Sequence, residues 1–146
     1  MLFGQDRDQI RRFYCQAWAN HRSGTPLEPL QAQIVAVIEQ HPEYHDLLED
    51  EDRACSRDYL PEFGESNPFL HMGLHIAIQE QLVTDRPTGI RAVYQQLLPG
   101  FAGSHELEHR IMECLAEAIL QAQRQGSPPD EQAYMECVRS IAEDGV

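Results

Sequence analysis

The chain has 146 residues, 42% of them hydrophobic and 24% charged, and carries a formal net charge of −13. That length suits one domain with a real core, and the acidic balance argues against nucleic acid and against an anionic membrane surface, both of which need clustered Lys and Arg. No apolar run approaches the roughly 18 residues of a membrane span, and Met1–Asp8 lacks the basic-then-apolar order of a secretory signal, so the expected location is cytoplasmic.

Asp6 is placed to cap a first helix running to about Asn20, with Ile10, Phe13, Tyr14, Ala17 and Trp18 recurring on one face. His21–Pro26 reads as a turn. A second helix follows Pro29 with the stripe Leu30, Ile34, Val37 and Ile38. Pro42 removes a backbone donor and ends or kinks it, and can open a short helix to Leu48. Residues 49–66 are acidic and irregular, with Glu49-Asp50-Glu51-Asp52 read as a solvated turn. Tyr59, Leu60 and Phe63 suggest that this loop packs down.

Asn67 then caps a central helix, with Pro68 at its first position. Phe69, Leu70, Met72, Leu74, Ile76, Ala77 and Ile78 make it apolar nearly all round, the mark of a buried helix. It should end near Thr84. A fourth helix spans about Ile90–Leu98 and stops at Pro99-Gly100. Ser104 caps a fifth, running to about Gln125 on the stripe Leu107, Ile111, Leu115, Ala118 and Ala122. Ser127-Pro128-Pro129-Asp130 caps a sixth in the S-x-x-D manner. No strand-like alternation, repeat or linker interrupts this. The predicted fold is all-α, residues 1–146 forming a single-domain bundle of about six helices.

Cys15, Cys55, Cys114 and Cys137 lie far apart with no C-x-x-C, and read as reduced thiols that pack in a cytosolic protein.

The chemistry lies in the histidines. Six of seven fall into three H-x-x-x-H pairs, His41/His45, His71/His75 and His105/His109, where random placement gives about 0.3 such pairs. Residues i and i+4 are neighbours on a helix, so two imidazoles can converge on one ion. Glu113 continues the line of His109 at the same spacing. His71 and His75 share a stripe with Ile78 and Leu82, where buried rings need partners. Glu108 lies on the apolar side of its helix, as a ligand or as an acceptor from an imidazole N–H. His105 sits in a first turn open to solvent. His41 and His45 straddle Pro42, and a solvated turn competes with a ligand role there. Imidazole plus carboxylate suits iron, zinc, manganese or nickel. No nucleophile elbow or phosphate loop is present; His105-Glu106-Leu107-Glu108-His109 carries the letters H-E-x-x-H but is not read as a zinc-protease motif, and no reaction follows from the residues.

Several blocks resemble the bacterial family filed as domain of unknown function 1841. They are Phe3-Gly4-Gln5-Asp6-Arg7, Leu27-Glu28-Pro29-Leu30, His41-Pro42-Glu43-Tyr44-His45, Asn67 through His75, Asp85-Arg86-Pro87, and Glu108-His109 through Met112-Glu113-Cys114-Leu115. The resemblance spans roughly residues 3–122 and implies no activity, since none is assigned to that family. The histidine motifs also offer an analogy to haemerythrin-type bundles, but their number and order differ, and that family's later His-x-x-x-x-Asp is missing.

Two functions follow as expectations. One is a metal-binding bundle whose divalent ion is held by His71, His75, His109 and Glu113, with His105 or Glu108 completing the set and His41 and His45 closing it. The other is a structural or interaction protein with an acidic face, purely structural histidines and a protein partner.

Overall fold

The computed structural model describes residues 7–56 and 67–144. The expected cap Asp6 and the expected packing of Tyr59, Leu60 and Phe63 lie outside them. Among the described residues the chain is all-α. The helices are α1 (Arg7–Ser23), α2 (Pro29–Glu39), α3 (His45–Leu48), α4 (Glu51–Ser56), α5 (Pro68–Thr84), α6 (Ile90–Leu97), α7 (Ser104–Gln125) and α8 (Glu131–Asp144). Short 3₁₀ turns occupy Pro42–Tyr44 and Leu98–Gly100. No described helix is long and apolar enough to cross a membrane.

The backbone sorts into two compact units, Met1–Gly73 and Leu74–Val146. In the first unit α1 packs against α2, α3 and α4. Its core is Tyr14, Ala17, Trp18, Ile34, Val37, Ile38, Leu47 and Leu48, all buried. Each such aliphatic side chain contributes roughly 1.5–3 kcal/mol by leaving water. Phe69, at the start of α5, meets the Tyr14 ring edge-on at 5.6 Å.

The acidic stretch after Leu48 is not the expected solvated turn throughout, because α4 begins within it. Asp50 Oδ1 accepts from the Arg53 amide at 3.1 Å, which caps the helix start. The carbonyls at its far end are met by α1: Arg11 donates to Ala54 at 2.9 Å and Arg7 to Cys55 at 3.0 Å. Arg11 is buried and its guanidinium also lies 5.0 Å from the Phe69 ring centre. A six-residue helix is too short to form alone, so these long-range bonds explain what local sequence could not.

In the second unit Ile78, Ile90, Leu97, Leu107, Ile111, Met112, Val138 and Ile141 form one buried cluster. α8 packs on α6 and α7, and the Tyr134 hydroxyl donates to Gln81 Oε1 at 2.6 Å. Asn67 caps α5 as expected, accepting from the amides of Phe69 and Leu70. The other two expected caps move. Ser104 is already helical, and Gly103 occupies the cap position of α7 without a side-chain bond. Asp130, rather than Ser127, caps α8 by accepting from the Ala133 amide at 3.1 Å. Pro129 would stand at the second helical position after a cap at Ser127 and lacks one of the two amide hydrogens such a cap could engage.

The cysteines also depart from expectation. Cys114 and Cys137 form a disulfide between α7 and α8, whereas Cys15 and Cys55 are free thiols. The helices bring together two residues 23 apart in sequence, a pairing no C-x-x-C spacing could signal.

Candidate metal centre

The second unit contains a three-histidine cluster. His75 is contributed by α5, and His105 and His109 by successive turns of α7. One ligand nitrogen from each of these histidines lies within 4.8 Å of the other two. The rings of His75 and His105 are stacked with centres 4.8 Å apart, and His109 meets them at 4.8 and 4.3 Å respectively. His75 is fully buried, while His105 and His109 are half-buried. The expectation that His105 is merely solvent-exposed is therefore corrected: its ring packs face to face on His75. Two nitrogens bound to one ion at about 2.0–2.1 Å stand roughly 3.4 Å apart in a tetrahedron. The cluster needs only a small contraction to reach that spacing.

Glu108 supplies the oxygen that orients it. His75 Nδ1 lies 3.1 Å from Glu108 Oε1, with both side chains buried. A carboxylate only accepts, so the imidazole hydrogen sits on Nδ1 and the ligating lone pair on Nε2. Gln79 donates to the same carboxylate oxygen at 3.4 Å. The Tyr94 phenol is held above its ordinary pKa by burial first and by the negative Glu108 second, opposed by a hydrogen bond with Ser104. Among the described residues of this unit Glu108 is the one buried acidic side chain.

The other expected ligands are described within their own units. Glu113 is exposed and pairs with Arg110 at 3.6 Å, on the polar face of α7. In the first unit, His71 lies beside His41, with their Nε2 atoms 3.2 Å apart and Tyr44 stacked on His41. His41 Nδ1 donates to the Val37 carbonyl at 2.8 Å, which makes His71 Nε2 the donor between the rings. His45 Nε2 donates to the Ile38 carbonyl at 2.9 Å and its ring lies 4.4 Å from Trp18. The solvated turn expected for His41 and His45 is corrected. His41 is buried and His45 half-buried; the Val37 and Ile38 carbonyls accept from these rings in addition to the backbone amides of Gln40 and His41.

Sequence reasoning missed Gln79 and Tyr94. Gln79 could have been found, since it follows His75 by four residues and so shares its face. Tyr94 had no such signal, because only the packing of α6 brings it near Glu108.

The family model described as Domain of unknown function (DUF1841) matches residues 6–140, and the chain belongs to that family. No curated protein and no solved structure matches the chain.

Proposed function

For this member of the DUF1841 family we propose that the second unit binds a divalent transition-metal ion through His75, His105 and His109, with Glu108 orienting His75. The observation that carries the reading is the convergence of three imidazoles, one of them fully buried and bonded through Nδ1 to a buried carboxylate. A carboxylate behind a ligating histidine fixes its tautomer and raises its basicity. A neutral imidazole set favours Fe²⁺, Zn²⁺, Mn²⁺ or Ni²⁺ over Mg²⁺ and Ca²⁺, which prefer oxygen. Three protein ligands leave room for an exchangeable fourth, so a bound ion would supply Lewis acidity there. No reaction is assigned. The net charge of −13 supports partners other than nucleic acid.

The test is metal analysis of protein purified without a histidine tag, followed by thermal melting with chelator and with each of the four ions. Stoichiometric metal, and a melting point lowered by chelator, are expected, because an ion that binds only the folded chain stabilises it. Protein that carries no metal and melts identically under all these conditions has structural histidines, and the interaction-protein reading replaces this one.

A further inference from the structure

Independently of the metal reading, we propose that the Cys114–Cys137 disulfide is a thiol-exchange site. A dithiol reductant opens it in the folded protein, and α8 is thereby clasped to α7 reversibly.

The bond joins α7 to α8 at the margin of the core, with Cys114 buried in the apolar cluster and Cys137 partly buried against it. Both cysteines line a cavity of about 210 Å³ together with Glu117, Gln121, Asp130 and Tyr134. Both also line a second cavity of about 120 Å³, with Arg110, Glu113 and Ser140 on its wall. Cavities therefore reach the two cysteines from two sides. Cys114 is buried and Cys137 is half-buried, so attack falls on Cys137. Disulfides reached this easily are the labile ones, and rates of exchange depend on access as well as on thiol chemistry. In a reducing compartment a disulfide of this kind forms and breaks as part of its role.

The exchange balances as two electrons and two protons. One thiolate of the reductant attacks Cys137 Sγ, and the S–S bond breaks. Cys114 Sγ leaves with the electron pair and takes up the proton that the attacking thiol released. The second thiol of the reductant then attacks its own sulfur in the mixed disulfide, and Cys137 departs as a thiol. The products are two protein thiols and one oxidised dithiol. Oxidised dithiol re-forms the clasp by the reverse sequence.

Reduction leaves α8 held by its apolar side chains Tyr134, Met135, Val138 and Ile141, all buried, and by the Tyr134–Gln81 hydrogen bond. The unit therefore stays folded but less stable. Removing a cross-link between residues 23 apart should lower the melting point by about 5–10 °C.

The experiment uses the full chain, freed of metal so that the outcome does not depend on the histidine cluster. Native protein is treated with millimolar dithiothreitol without denaturant, thiols are trapped by alkylation, and labelled positions are mapped by mass spectrometry. Expected are unlabelled Cys114 and Cys137 before treatment, both labelled after it, retained helical circular dichroism, and a lower melting point that oxidised dithiothreitol restores. Cys137→Ser should melt near the reduced wild type and ignore the reductant. The proposal is overturned if both cysteines label in untreated protein, if the bond resists dithiothreitol until the chain is unfolded, or if reduction leaves the melting point unchanged.

Discussion

The two units handle buried imidazoles differently. In the first, the rings of His41 and His45 donate to main-chain carbonyls of α2, at Val37 and Ile38. Those carbonyls already accept from the Gln40 and His41 amides, so the rings add a second donor to each at the end of α2. In the second, His75 donates to a buried carboxylate, and two further imidazoles crowd against it. A carbonyl satisfies one ring and adds no charge. A buried carboxylate brings a negative charge that costs several kcal/mol in an apolar setting unless a cation or strong donors offset it. Histidine is therefore no sign of a metal by itself, and a backbone carbonyl or a carboxylate can each stand behind a ligating ring.

The largest expected effect comes from removing the converging rings. His75→Ala with His109→Ala should abolish stoichiometric metal binding by the isolated protein, as read by elemental analysis. Metal retained by this double variant would show that the cluster of the second unit is not the site.

Acid should act next. Each ligand must be deprotonated to bind, so affinity should fall by up to about tenfold per ligand per pH unit as pH drops below the ordinary imidazole range. A competition titration with a chromophoric chelator between about pH 5 and 8 would measure it. A flat profile would remove imidazole from the ligand set.

Glu108→Gln preserves size and removes charge. It should weaken metal binding by roughly 10–100-fold, the usual loss when the partner of a ligating histidine is changed. An unaltered dissociation constant would make Glu108 a spectator.

The first unit should instead reveal itself at alkaline pH. Burial pushes the Tyr14 hydroxyl up from 10.0 to about 12, and burial followed by the neighbouring Cys55, Glu51 and Asp50 pushes the Cys15 thiol from 9.0 to about 12. Both are neutral in the fold and ionise more readily once unfolded. The stability they confer is thus fully present below about pH 9 and is lost as pH rises to about 12, with Tyr14 contributing on the order of 3 kcal/mol. Tyr14→Phe should flatten the upper part of a urea-midpoint profile, and a slope identical to wild type would refute the assignment.

The smallest effect is expected from His45→Leu. It should cost about 1 kcal/mol by removing one of the hydrogen bonds that the Ile38 carbonyl accepts, seen in denaturant melts, while metal content stays unchanged. A loss of metal in this variant would erase the distinction between the capping and the clustered histidines.

The sequence alone determined that the chain is helical and where most helices run, because apolar periodicity, Asn67 with Pro68, and Pro42 act through neighbours a turn or so away. It also marked His75, His105, His109 and Glu108 as candidates, since one-turn spacing and position on an apolar arc are local properties. Only the tertiary structure decided which candidates meet. Glu113 has the same spacing from His109 that His75 has from His71, yet α7 turns it outward to Arg110. The short helix α4 and the Cys114–Cys137 bond were illegible for the same reason. Arg11 reaches Ala54 across 43 residues and Cys114 reaches Cys137 across 23. Such pairings depend on how helices pack, which no window of local sequence contains.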